Sequence, residues 1–223
     1  EMCIRDSLAA LLRCSSFIHP VRKRLLYTMA RSAQAVRKTK ETQINIDLNL
    51  DGSGTCNIAS GIPFLDHMLT LFAVHGFFDI SIAAKGDLEV DHHHTVEDIG
   101  LVLGDVFSQA LGERKGIKRY GHAVTPMDEA LSSVTVDLSN RPFLVYSVGD
   151  VKGCGTNFDI ALAKEFFRAF AVHCGMNLHI NMHYGENEHH ILESIFKATG
   201  RALDQACSFD KRISGVRSSK GAL

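Results

Sequence analysis

Two short clusters of imidazoles and carboxylates hold most of the chemistry available to this chain. Each has the form His-His-x-x-Glu: His93, His94 and Glu97 in one, and His189, His190 and Glu193 in the other. On a helix, residues four apart share a face, so His93 with Glu97, and His189 with Glu193, can each clamp one divalent cation. The second histidine of each doublet is turned by about 100° around the helix and does not comfortably reach the same ion. The donors are imidazole nitrogen and carboxylate oxygen without thiolate. That chemistry suits manganese or iron, with zinc an alternative at three or four ligands, while magnesium tolerates so many histidines poorly. A single His–Glu pair at this spacing is ordinarily a solvated surface pair. Two of them at matched positions of an internal repeat are not explained that way.

The repeat is direct. The stretch from Asp66, DHMLTLFAVHGFFDISIAAKGDLEVDHHHTVEDIGLVLGDVFSQAL, aligns with that from Lys164, KEFFRAFAVHCGMNLHINMHYGENEHHILESIFKATGRALDQA, and shares Ala-Val-His at 73–75 and 171–173. Once two residues are dropped, the two His-His-x-x-Glu elements coincide, and His67 falls on Glu165. If the halves pack about a pseudo-two-fold axis, His94 reaches the ion held by the second half and His190 the ion held by the first. The expected sets are then His67, His94, His189 and Glu193 at one site, and His93, Glu97, Glu165 and His190 at the other. Four donors leave positions open on an octahedral ion, which points to catalysis rather than a structural role.

The elements that must position these groups are legible from periodicity. Each copy reads as an amphipathic helix, an alternating strand (79–83 and 177–181), a Gly-bearing turn and a second helix with apolar residues at helical spacing. Strand-rich sequence precedes each copy. Residues 42–58 alternate about an expected hairpin turn at Asp51-Gly52-Ser53-Gly54, and residues 132–150 break at Ser139-Asn140-Arg141-Pro142. The expected fold class is α+β, two tandem halves whose helices cover one side of their sheets. The expected divisions are a first half at 35–124, a second at 125–211 and a tail at 212–223, with 1–34 set apart as a targeting or non-native extension. That extension is Arg-rich and nearly free of acid, and Met29 followed by Ala30 is a candidate start within it.

Composition narrows the function classes. A 223-residue chain that is 45% hydrophobic can bury a sizeable core. Its formal net charge of −1 gives no global field for capturing a polyanion, so any phosphate must be held by local basic residues, and nucleic acid is not an expected partner. Six cysteines without a C-x-x-C pair fit neither a zinc ribbon nor a disulfide framework and suggest a reducing, cytoplasmic setting, or a plastid if 1–34 is a transit peptide. No apolar run approaches the roughly 18 residues that span a bilayer. Outside the clusters, His92 has no counterpart in the repeat and reads as exposed or supporting, and His122, His179 and His183 read as surface or satisfied histidines.

Four segments carry a family resemblance: Phe64–Leu69 (FLDHML), Asp91–Asp98 (DHHHTVED), Gly185–Glu193 (GENEHHILE) and Ser218–Gly221 (SSKG). In this order and spacing the chain, from about residue 36 onward, resembles the imidazoleglycerol-phosphate dehydratase family. The resemblance implies two ribosomal-protein-S5-domain-2-like halves, each a mainly antiparallel sheet with two helices on one face. It also implies two manganese ions per active site, and a homo-oligomeric shell of twenty-four subunits with active sites at subunit contacts. The implied metal ligands are the eight residues of the two sets above. Glu165 departs from the family pattern, since many members carry histidine there, though a carboxylate ligates manganese equally well. Substrate contacts carry over to Glu41, to 67–75 with His67 and His75, to His93 through Glu97, to Arg119 and Arg141, to Glu165 through His173, and to Ser218, Ser219 and Lys220. Guanidinium forks at Arg119 and Arg141 suit a phosphate, Lys220 adds a point charge, and the tail is expected to fold over the bound phosphate.

The implied reaction is loss of water from D-erythro-imidazoleglycerol phosphate to give imidazoleacetol phosphate, a step of histidine biosynthesis. The hydrogen removed adjoins no carbonyl and is not acidic. Two manganese ions on the ring nitrogens would hold the substrate as an imidazolate able to expel the neighbouring hydroxyl. Glu41 is expected to do acid–base work on the resemblance, with His75 orienting or transferring protons and Glu97 and Glu193 mainly ligands. The alternatives are a dimetal hydrolase of a small phosphorylated metabolite, a metal-storage or shell protein, and a nucleic-acid-binding module.

Overall fold

A computed structural model describes residues 31–149 and 158–222. The first half contains β1 (Ser32–Lys38), β2 (Thr42–Asn49), β3 (Cys56–Ala59), α1 (Pro63–Gly76), β4 (Asp79–Gly86) and α2 (His93–Leu111). The second repeats the order with β5 (Tyr120–Met127), β6 (Ala130–Asp137), β7 (Phe143–Ser147), α3 (Ala161–Cys174), β8 (Asn177–Tyr184) and α4 (Glu188–Cys207). The sheets share one topology, β1-β2-β4-β3 and β5-β6-β8-β7, with two antiparallel pairings and one parallel pairing in each. The fold is a tandem duplication of α+β halves.

Alternation dictates which sheet face is covered. Thr42, Ile44, Ile46 and Leu48 on β2 and Ala130, Ser132, Val134 and Val136 on β6 point inward, and their neighbours face out. The helices lie on those inner faces, and the two helix layers then pack on one another, α2 against α3 and α1 against α4. Buried Phe72, Phe78, Phe107, Phe166, Phe170 and Phe196 pack in stacked, edge-to-face or tilted pairs between the layers, each worth about 1.5–3 kcal/mol of transfer energy. Close crossing needs glycine. A Cβ on Gly100 would lie 2.5 Å from the Phe166 carbonyl oxygen, and one on the repeat-equivalent face of α4, at Gly200, would strike the Phe72 carbonyl. These crossings bring the first turns of α2 and α4 beside α3 and α1.

Three boundaries differ from expectation. The strand β1 begins at Ser32, inside the segment set apart as an extension, and pairs with β2 from Ser32 opposite Asn49. Its inward positions are Ala33, Ala35 and Arg37, all half-buried, two small and one charged, so its apolar signal is weak. Residues 1–30 lie outside the described residues. The link between halves runs from 112 to 119, so a division at 124 cuts through β5. This strand faces α4 with Gly121, Ala123 and Thr125, again too small to register as an apolar alternation. Finally, Asp51–Gly54 is not a hairpin turn. Strand β2 pairs with β1 and β4, and β3 runs parallel to β4. The Asp79 carboxylate captures the crossing loop by accepting from the Ser53 and Thr55 amides at 2.8 and 3.0 Å.

Candidate metal centre

Three ligands of each expected set converge. The first turn of α2 carries His93 and Glu97, and α3 brings Glu165 beside them; α4 carries His189 and Glu193, and α1 brings His67. In each trio one ligand atom per residue lies within 4.8 Å of the others. The distances are 3.5 Å from His93 Nε2 to Glu97 Oε2, 3.1 Å from His189 Nε2 to Glu193 Oε2 and 3.4 Å from His67 Nε2 to Glu193 Oε2. Helix starts are fixed locally: the Asn187 side chain accepts the His189 amide, and Asp91 accepts that of His93, both within 2.9 Å.

A basic side chain grips the far oxygen of each helix-borne glutamate. Lys197 Nζ lies 2.6 Å from Glu193 Oε1, leaving Oε2 to the two imidazoles. Burial raises the Glu193 carboxyl, but Lys197, His67 and His189 outweigh it and hold it below the usual range. In the other trio, Arg168 donates to Glu97 Oε1 at 3.0 Å and also pairs with Glu165. The paired oxygen, Glu165 Oε2, is buried and accepts no hydrogen bond. Neither cation was singled out from sequence, although Lys197 follows Glu193 by four residues and Arg168 follows Glu165 by three, spacings that place each pair on one helix face.

Within one chain His94 and His190 do not reach the opposite half's trio. Because α2 packs on α3 and α4 on α1, the two doublets do not face each other, and the second histidine of each points elsewhere. His94 Nδ1 lies 3.1 Å from Asp87 and 3.9 Å from Glu41; His190 Nδ1 lies 2.7 Å from Glu129. These carboxylates hold both histidines above their ordinary pKa, Asp87 acting chiefly on His94 and Glu129 on His190. In return His190, with backbone amides, brings Glu129 down to about 2. Asp87 and Glu129 sit in turns with no helical spacing to reveal them.

The other expected site residues lie at some remove from the trios. Glu41 occupies the β1–β2 turn with its side chain 58% exposed. His75 ends α1, where burial and then the charges of Lys197 and Arg201 press its pKa below the ordinary value. His173, its counterpart at the end of α3, instead faces Asp105 at 2.9 Å. His92 is the N-cap residue of α2 and makes no side-chain cap bond.

Arg119, Arg141, Ser218, Ser219 and Lys220 line one cavity of about 720 Å³, together with Tyr120, Ser139 and Arg217. Arg119 is not a free fork, since Nε and Nη2 hold Asp137 at 2.6 and 3.0 Å and Nη1 donates to the Arg217 carbonyl. Two of its five N–H groups remain for a ligand. The tail is anchored rather than loose: Gly116 N donates to Gly215 O, and Arg217 donates to Lys118 O. A second concavity of about 570 Å³ on the outer face of the first sheet shares no residue with either trio and is lined by no imidazole or basic group. Among the described residues no helix is long and apolar enough to cross a membrane.

Comparison with known proteins gives a consistent result. The family model described as imidazoleglycerol-phosphate dehydratase matches residues 60–203. The imidazoleglycerol-phosphate dehydratase of Desulfosudis oleivorans is 60% identical over 195 residues, covering 87% of this chain and all of the relative, and that of Pelobacter propionicus is 57% identical over the same span. Crystal structures of the enzymes from Staphylococcus aureus and Pyrococcus furiosus superpose with TM-scores of 0.73 and 0.75 at 38% and 39% identity. They cover 80% and 85% of this chain, and 99% and 100% of their own.

Proposed function

Because this chain belongs to the imidazoleglycerol-phosphate dehydratase family, we propose that it converts D-erythro-imidazoleglycerol phosphate to imidazoleacetol phosphate with two manganese ions, one in each trio. It is a hydro-lyase of histidine biosynthesis. The observation that carries the two-ion reading is the pair of trios related by the internal repeat, each composed of nitrogen and oxygen donors alone. Such a donor set fits manganese, and three protein ligands leave room for substrate. Held by these trios, the ions would supply Lewis-acid charge to the substrate.

The chain's own groups do the rest. Arg119, Arg141, Ser218, Ser219 and Lys220 hold the phosphate, with the anchored tail closing over it and keeping water out. His94 and His190 each complete a trio on a neighbouring copy in a homo-oligomer, which gives a role to two imidazoles that no trio of their own chain uses. Glu41, 3.9 Å from His94 Nδ1, then travels with that histidine to the neighbour's site, where its carboxylate takes up the carbon-bound proton. His75 and His173 orient the substrate from the ends of their helices. Free thiols at Cys56, Cys174 and Cys207 support a cytoplasmic setting.

The test is turnover of protein stripped of metal and reloaded with manganese, following ketone and inorganic phosphate together. Ketone forming only with manganese, with the phosphate ester intact, is the expected result. Phosphate release without ketone would make the protein a hydrolase instead.

A further inference from the structure

The duplication pairs one further residue with Glu41. The β1–β2 turn that carries Glu41 corresponds to the β5–β6 turn that carries Glu129: each glutamate immediately precedes an inward-facing residue, Thr42 or Ala130, that opens the second strand of its sheet. Their histidines correspond too, because Glu41 faces His94 and Glu129 faces His190. The geometry of the two pairs differs. In the first half Asp87, just past the end of β4, lies 3.1 Å from His94 Nδ1, and Glu41 stands back at 3.9 Å. In the second half the residue just past the end of β8 is Gly185, which has no side chain to offer, and Glu129 itself closes to 2.7 Å on His190 Nδ1.

Glu129 is also held from behind. Its Oε1 accepts the amides of Asn187 at 2.8 Å and Glu186 at 3.3 Å, so Oε2 is the oxygen aimed at the ring. On the far side of the ring, Nε2 is 3.7 Å from the exposed Asp128 carboxylate, beyond hydrogen-bond length. A carboxylate on one imidazole nitrogen fixes the proton there and leaves the other nitrogen bare.

We propose that Glu129 is a positioning residue that fixes His190 with its proton on Nδ1 and Nε2 presented as a ligand, the task Asp87 performs for His94, which leaves Glu41 free for chemistry. The proposal rests on the reading of His190 as a metal ligand given above.

Glu129→Gln in the full-length protein inverts the arrangement. The backbone amides retain the side-chain oxygen, so the amide NH2 must face Nδ1 and drive the ring proton to Nε2. Two readouts apply. Ring 15N shifts of metal-free protein at alkaline pH, with His190 assigned by difference from His190→Asn, should show an Nδ1–H ring in the wild type and an Nε2–H ring in Glu129→Gln. Free Mn2+ followed by electron paramagnetic resonance should show one of two sites weakened by about 10–100-fold in Glu129→Gln, with Glu129→Asp recovering part of the loss. An Nε2–H ring in wild-type protein overturns the proposal even if the variant fails to fold. Unchanged manganese affinity in Glu129→Gln, with affinity lost in His190→Asn, overturns it while sparing His190 as a ligand. Unchanged affinity in His190→Asn removes the ligand reading itself.

Discussion

The α2–α3 trio, with one imidazole and two carboxylates, lies in the open: Glu97 is 37% exposed and its partner Arg168 54%. The α4–α1 trio has two imidazoles and one carboxylate, and its carboxylate is sheltered, Glu193 being 9% exposed and Lys197 16%, while His67 and His189 are 45% and 39% exposed. Duplication thus kept the helix crossings and the four-residue spacing, which set where ligands stand, and let the charge diverge, which sets how strongly each trio attracts a cation. Leu101 stands where the repeat puts Lys197, and Thr70 stands where it puts Arg168, so each half recruited its cation from a different place. The open trio carries one more negative charge and should fill with manganese first.

The largest test of the pairing is to remove one ligand from each trio. Glu97→Gln and Glu193→Gln should each lower turnover about a thousandfold or more, the several kcal/mol that a Lewis-acid ion contributes to a transition state. Steady-state kinetics at saturating manganese would expose any inequality, and a variant retaining near-normal turnover would show that its trio is dispensable. Glu41→Gln should cost about 10²-fold or more in kcat with manganese binding unchanged, which separates the proton-handling glutamate from the ligands.

Relieving the cations should strengthen metal binding. Lys197→Met removes a charge competing for a sheltered carboxylate and should tighten one manganese site by about tenfold. Arg168→Met, at an exposed pair, should change affinity by no more than about fivefold. Equal effects would mean that shelter does not distinguish the trios.

The smallest effect concerns His75. His75 is pressed below its ordinary pKa, so the unfolded chain binds more protons than the folded one just below pH 6.5, and the stability due to neutral His75 is lost as pH falls through that range. His75→Gln should flatten the dependence of melting temperature on pH there. The same slope in variant and wild type would dismiss the effect.

Much of this was readable from residue spacing alone. The matched His-His-x-x-Glu elements and the His67–Glu165 correspondence name the three residues that the structure brings together in each trio, because helix periodicity and the duplication act on them directly. The fate of His94 and His190 was not readable, since it turns on which helices pack together and on carboxylates in turns. Strands β1 and β5 escaped for a different reason, as their inward faces are built from Ala33, Ala35 and Arg37 and from Gly121, Ala123 and Thr125, which mark no apolar alternation.

Titration of metal-free protein with Mn2+, counting bound ions per chain by electron paramagnetic resonance, bears most directly on the paired trios. Two ions per chain in the wild type and one in each of Glu97→Gln and Glu193→Gln is the predicted result. A single ion in the wild type, or two retained in either variant, would contradict it.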